Sequence, residues 1–272
     1  MAMVQRSQQP NPAEAYERVV AQGMFVPWTQ DLLARAAPKP GETVLDLACG
    51  TGMVMRSLVS MVGATGRVVG LDISPPMLEV ARAKVPTGAA TVEFHEGSGT
   101  ELPFEDGTFG LVTCQQGLQF FPDHAKGLSE IRRVLAAGGR AVISVWRELQ
   151  LQPLLLAIDG VVSRHIGPGA LAVGAALGDA DLLRKLATGA GFSRVDIEQV
   201  EMRIRVAGPE MFVPMMIQAA AAVLPAFAKL AQEDRQALVG RMRAEIDEAL
   251  EPLMDNNQLI HDTAANVLTV SR

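Results

Sequence analysis

Cysteine, histidine and the aromatic residues are scarce in this chain of 272 residues, which holds two cysteines, four histidines, two tryptophans and one tyrosine. Cys49 and Cys114 cannot build a disulfide framework, and no C-x-x-C pair offers a zinc site. A reducing compartment, the cytoplasm, is therefore expected, and no metal site. A basic excess is also missing. Lys and Arg number 24 against 30 Asp and Glu, a net charge of −6, and neither side of residue 150 is positive. A nucleic-acid ligand needs a positive surface that displaces counterions, so DNA and RNA are not expected partners. Long apolar runs are absent too. The longest uncharged stretch, residues 211–228, is interrupted by Pro214, Gln218 and Pro225, whereas a membrane span needs ~20 strongly apolar residues. The polar first dozen residues lack the apolar segment of a signal peptide.

What is present is an ordinary globular balance, 49% hydrophobic and 20% charged. The length suits one large domain, or one domain with a grafted subdomain. Asn11-Pro12-Ala13-Glu14 has the cap, proline and acid of a helix start, and the helical pattern reaches residue 37 with a break at Pro27. Pro38-Lys39-Pro40-Gly41 stops it. Strand-like runs then follow at residues 43–48, 67–71, 91–95, 109–114 and 140–146, most of them separated by helical segments. That alternation predicts βαβ units and a mostly parallel sheet covered on both faces. Such sheets bind ligands at the carboxyl ends of their strands. After Trp146 the rhythm loosens. A Gly/Ala/Pro-rich connection spans 166–178, a helix 179–190 and an alternating strand 194–206. Helices cover 209–252, and a last strand covers 264–270.

The first strand runs into Asp46-Leu47-Ala48-Cys49-Gly50-Thr51-Gly52. Glycines there let the main chain approach a ligand, and the next helix aims its N-terminal amides at it. The second strand ends at Asp72, placed to accept both hydroxyls of a ribose. A dinucleotide fingerprint would need glycine where Met55 stands, and no Gly-Lys-Ser/Thr follows as in a phosphate-binding P-loop. A nucleoside-sized ligand without phosphates remains, with a cationic end suited to Asp46.

Five blocks in order carry a resemblance: Val44-Leu-Asp-Leu-Ala-Cys-Gly-Thr-Gly52, Gly70-Leu-Asp-Ile-Ser74, Gly97-Ser-Gly-Thr-Glu-Leu-Pro-Phe104, Phe109-Gly-Leu-Val-Thr-Cys-Gln-Gln116 and Arg132-Arg-Val-Leu-Ala-Ala-Gly-Gly139. Over residues 40–147 the chain resembles class I S-adenosylmethionine-dependent methyltransferases, in particular the ubiquinone/menaquinone-biosynthesis-like group acting on small molecules. The resemblance implies an α/β, Rossmann-like three-layer sandwich. Its mostly parallel seven-stranded sheet would have an antiparallel last strand and a helical cap. It implies a helical lid at residues 1–40, a cofactor-binding domain at 41–206 and 260–272, and a cap at 207–259 inserted between the last two strands.

The resemblance also implies roles. Ala48, Gly50, Thr51 and Gly52 would wrap the methionine part of the cofactor, Asp46 would face its amino group and Asp72 would hold the ribose. Ile73 and Met77 would sandwich the adenine, with Gly97, Ser98 and Gly99 along its edge. Gln115 would lie near the sulfonium and the methionine carboxylate, with Gln116 and Gln119 as neighbours. Tyr16, Phe25 and Trp28 would close over the site. Three positions depart from the family pattern. Ala48 replaces the first loop glycine, a change compatible with a negative φ. Ser98 replaces the adenine-binding acid, which should weaken cofactor binding. Gly110 replaces an acid. Met211, Phe212, Met215, Met216 and Phe227 are candidates for an apolar substrate pocket, and His165 and His261 for a base.

The implied activity is methyl transfer to an apolar or aromatic small molecule. A cyclase on the same cofactor-binding fold and a non-catalytic binding protein are the alternatives, and the oligomeric state stays open, a homodimer included.

Overall fold

The computed structural model describes residues 12–86, 88–169, 171–207 and 230–272. Period-two alternation along the strands divides their side chains between two faces. Val44, Val68, Leu111, Val142 and Val267 face one way, against Leu32, Leu58, Val59 and Leu78. Leu45, Leu47, Val69, Leu71, Val112 and Ile143 face the other, against Leu128, Ile131, Leu183 and Ala187. The central strands are consequently apolar on both sides, and helices cover both.

The strands are β1 (Thr43–Leu47), β2 (Arg67–Asp72), β3 (Thr91–Glu96), β4 (Phe109–Gln115), β5 (Leu135–Trp146), β6 (Arg194–Ala207), β7 (Met254–Asp255) and β8 (Gln258–Ser271). The helices are α1 (Pro12–Tyr16), a π-helical segment (Glu17–Phe25), α2 (Val26–Ala36), α3 (Met53–Val62), α4 (Pro75–Lys84), α5 (His124–Val134), α6 (Pro153–Ile166), α7 (Ala180–Gly189) and α8 (Gln232–Leu250). The order across the sheet is β3-β2-β1-β4-β5-β8-β6, with the two-residue β7 paired to β8. Strands β1 to β5 run parallel, and β8 inserts antiparallel between β5 and β6. The architecture is the Rossmann-like three-layer sandwich, and the chain reverses strand order at β1/β4, where such folds open a crevice.

Four local outcomes differ from the sequence reading. Pro27 does not break the helix; it sits in the first turn of α2, and the irregularity lies before it as nine residues of π-helix. Strand β5 begins at Leu135, and residues 136–139 with Gly138-Gly139 form a bulge against β4. Residues 153–166 form α6, unannounced by any clear apolar stripe. Strand β8 is twice its expected length. It pairs with β6 from Arg194↔Ser271 to Ala207↔Gln258, and the distal part of that ribbon carries a third apolar cluster. There Ile204, Val206 and Leu259 meet Met242 and Ile246 of α8, Leu154 and Ile158 of α6, and Val20, Met24 and Trp28. Helix α8 lies between β6 and β8 in sequence. Asn11 and the candidates Met211, Phe212, Met215, Met216 and Phe227 lie outside the described residues. Among the described residues no helix is long and apolar enough to cross a membrane.

Candidate functional site

The loop after β1 folds into a cradle because its residues accept left-handed main chain. Gly50 and Gly52 have φ of +53° and +80°. Ala48 also lies there, at φ +56°. The negative φ that would have made this alanine neutral is not present, so its methyl costs roughly 1–2 kcal/mol. The close packing of loop, helix and strand is made possible by Gly70 of β2. A Cβ there would stand 2.4 Å from Met55 Sδ and 3.0 Å from Cys49 Sγ. The glycine that a dinucleotide fingerprint places in the helix is thus exchanged for one in the neighbouring strand.

Asp72, at the tip of β2, braces this cradle. Its Oδ2 accepts from Gly50 N–H at 2.8 Å and its Oδ1 from Ser74 N–H at 2.9 Å. Ser74 stands at the N-cap of α4, but its hydroxyl makes no capping bond. Each Asp72 oxygen keeps a lone pair for a ligand. Burial raises the Asp72 pKa, while the backbone N–H bonds work against the rise. Asp46 is buried at the tip of β1. Its Oδ1 accepts from Thr113 Oγ1 at 2.8 Å, and its Oδ2 has no partner. Burial, opposed by the Thr113 bond and aided by Asp72, pushes its pKa up to about 7. A buried carboxylate oxygen left unpaired is costly unless a ligand donor meets it. Cys49 and Cys114 are buried, and desolvation pushes both thiols up, Cys114 to about 12. Neither is a nucleophile at neutral pH.

A cavity of about 590 Å³ opens over these strand tips. Asp46, Ala48, Gly50, Thr51, Asp72, Ile73, Met77, Gly97, Ser98, Gly99, Gln115 and Gln116 all line it. Ile73 is 73% exposed at the mouth. The Ser98 hydroxyl is engaged locally with Thr100 Oγ1 at 2.8 Å. Three expected residues stand elsewhere. Gly52 turns the main chain behind the cavity, where its Cβ position faces Val85 and Ala81. Gln119 is buried behind the wall, accepting from Trp146 N–H at 3.1 Å. Trp28 is 1% exposed, donates to Thr263 Oγ1 at 3.2 Å and meets Trp146 edge-on at 5.4 Å. It supports the wall through Trp146, which does line the cavity. His165 pairs with Glu245 on α8, and His261 is buried on β8; neither lines the cavity.

The other half of the wall is apolar: Val20, Met24, Phe25, Trp146, Leu155 and Leu171. Except for Phe25, sequence reasoning missed these residues. Val20, Ala21, Met24 and Phe25 share one helical face through their i, i+3 and i+4 spacings, but which wall that face builds is decided by where the segment docks. The segment is held down by Glu17, which is 3% exposed. Thr51 Oγ1 donates to Glu17 Oε2 at 2.5 Å, Arg56 Nη2 lies 2.9 Å from Oε1, and Gln22 Nε2 donates to Oε1 at 2.8 Å. Glu17 therefore joins the N-terminal segment to the cradle. Its signal in the sequence was only an acid near a helix start.

Comparison with known proteins bears on this geometry. The demethylmenaquinone methyltransferase of Lactococcus lactis is 44% identical over 116 residues, which are 42% of this chain and 46% of that protein. The chain thus matches about half the length of such curated relatives. Among solved structures, Haemonchus contortus phosphoethanolamine N-methyltransferase 2 in complex with S-adenosylhomocysteine aligns at TM-score 0.59 and 20% identity, covering 98% of this chain and 58% of that one. The YcgJ protein of Bacillus subtilis aligns at TM-score 0.57 and 18% identity, covering 90% and 97%. At these identities the two structures share the fold. The sequence pattern of the ubiE/COQ5 methyltransferase family matches residues 13–162, more than half the chain, and the matched span contains the cradle, both strand-tip carboxylates and the π-helical segment. The chain belongs to the ubiE/COQ5 methyltransferase family.

Proposed function

We propose that this chain transfers a methyl group from S-adenosylmethionine to a neutral, apolar or aromatic small molecule. The observation that carries the reading is one cavity with two unlike halves: an acid-braced cradle over β1 and β2, continuous with an apolar chamber beside β5. The residues present fit the cofactor. Asp46 Oδ2 is a buried, unpartnered acceptor for its ammonium group. Space at Gly50 is open, with nothing within 4 Å of a would-be Cβ. Asp72 retains acceptor capacity on both oxygens for ribose hydroxyls. The demethylmenaquinone methyltransferase relative supports a flat, lipophilic acceptor.

When bound, the cofactor supplies a methyl group already made electrophilic by its sulfonium. The chain's residues position and desolvate. Gln115 is oriented by Thr29, whose hydroxyl donates to its Oε1 at 3.0 Å, leaving the Gln115 Nε2 donors for the ligand. Val20, Met24, Phe25 and Trp146 exclude water from the acceptor side. Tyr16 lines the cavity with its pKa raised by burial and by the nearby Asp72 and Glu17 charges, so its hydroxyl keeps its proton. Among the described lining residues there is no histidine or lysine to act as base. In this reading the acceptor brings its own nucleophilic atom, and the described residues contribute orientation and exclusion of water. In this reading residues 12–36 serve as part of the lid, and α8 as part of the cap.

The test is calorimetry with S-adenosylmethionine and with NAD, followed by mass spectrometry of reduced naphthoquinones incubated with protein and cofactor. Cofactor binding with a one-methyl mass gain is expected. Binding of NAD alone overturns the reading. Cofactor binding with no methylated product from any acceptor replaces it with a cyclase or a binding protein.

A further inference from the structure

Gln116, the residue after β4, combines two features at the cavity wall. Its main chain is left-handed, with φ +52°, a region that non-glycine residues enter at a cost. Its side chain is 6% exposed, yet neither Oε1 nor Nε2 has a partner. Among the described lining residues it alone leaves a whole carboxamide unsatisfied. Buried amides are nearly always bonded, so this one is reserved for something that enters the cavity. Its place selects which ligand. Gln116 N–H donates to Ser144 O on β5 at 2.9 Å, drawing the residue to the β4–β5 side of the opening. Gln115, one position earlier, is instead engaged by Thr29 of α2. The cradle lies over β1 and β2, whereas β5 ends in Trp146, in the apolar chamber. No lysine, arginine or histidine stands among the described lining residues, so an anionic acceptor would find no counter-charge there.

We propose that Gln116 recognises the acceptor rather than the cofactor, gripping a hydroxyl or carbonyl oxygen on an otherwise apolar, neutral aromatic molecule. A carboxamide presents a donor and an acceptor side by side, so it can serve a phenol, an enol or a ketone. The inference deepens the methyltransferase reading and rests on it.

The experiment titrates three probes by calorimetry into the wild-type protein and Gln116→Met: S-adenosylhomocysteine, then 2-naphthol and 2-methylnaphthalene with S-adenosylhomocysteine saturating. The wild type is expected to bind 2-naphthol about tenfold more tightly than 2-methylnaphthalene, a gap of the size of one or two hydrogen bonds. The substitution should erase that preference and leave the other two affinities within about twofold. Gln116→Gly, which relaxes the left-handed main chain, should erase it as well, and guards against a methionine variant that fails to fold. Loss of S-adenosylhomocysteine affinity in the variants overturns the inference, because Gln116 would then serve the cofactor. Equal wild-type affinity for the two rings, no binding of either, or a preference that survives substitution also overturns it. Failure of the wild type to bind S-adenosylhomocysteine is a separate result and strikes the methyltransferase reading itself.

Discussion

The two halves of the cavity are built by opposite means. The cradle over β1 and β2 is made of main chain and fixed charge: short loops, positive-φ residues, and Asp72 bonded to two backbone N–H groups. Its shape is set within about thirty residues of sequence. The chamber beside β5 is made of side chains from distant segments, the π-helical turn, α6 and the end of β5, and rests on the extended β6–β8 ribbon. The first half suits a constant ligand with fixed polar groups, and the second suits a variable apolar one. Under the proposed methyl transfer, specificity for the acceptor could change through packing without disturbing the cofactor's half of the cavity.

Breaking the cradle should have the largest effect. Asp72→Ala removes the acceptors of two backbone N–H groups and of the proposed ribose contact, and is expected to lower S-adenosylmethionine affinity more than about 100-fold, near 3 kcal/mol. Calorimetry measures it, with thermal unfolding as a check on the loop. A loss no greater than that of a chamber substitution such as Leu155→Ala would erase the contrast between the halves. Next comes the joint between them. Glu17→Ala strips the partners from Thr51 and Arg56, and should cost about 2 kcal/mol of stability, less than a fully buried pair because the Arg56 side chain is 21% exposed. That corresponds to a Tm fall of roughly 5 °C, together with faster cofactor release.

A titration sharpens the electrostatic half. Asp46 carries a raised pKa of about 7 through burial, so its protonated form dominates below that pH. A bound ammonium favours the ionised form. Cofactor affinity should therefore fall as pH drops below about 7, approaching tenfold per pH unit, whereas Asp46→Asn should bind weakly with little such dependence. Without ligand the sign reverses. The folded pKa lies above the unfolded one, so the unfolded chain gives up this proton first. Relative to Asp46→Asn, stability should then decline as pH rises from about 4 to about 7. Chemical denaturation across that range checks it. The smallest expected effect is Ala48→Gly. Relief of a left-handed alanine is partly offset by the greater freedom of glycine in the unfolded chain, and a net gain of about 0.5 kcal/mol should appear.

The cradle was legible because its chemistry is local. Asp46, Gly50, Thr51 and Asp72 stand at strand ends that short apolar runs locate, and a parallel sheet brings such ends together. Ala48 shows the limit of that reasoning, since its residue type was visible and its φ was not. Gly52 shares the motif, yet its conformation turns it behind the wall. The family resemblance puts Trp28 and Gln119 at the site; Thr263 and the Trp146 main chain hold them one layer away. The chamber was largely illegible. Val20, Ala21 and Met24 share a helical face by spacing, but the sequence does not say that this face meets the end of β5, and Leu155 and Leu171 follow a stretch without clear periodicity.

The order of strands and helices, the absence of a phosphate-binding loop and the two acids at strand tips were decided by the sequence itself, because each depends on patterns that span a few residues. The tertiary structure decided that Glu17 ties the N-terminal segment to Thr51, that Gln116 stands in the wall with its amide unspent, and that an apolar chamber adjoins the cradle. Those outcomes depend on which distant side chains compete for the same space and the same hydrogen bonds, and that competition is settled only when the whole core packs.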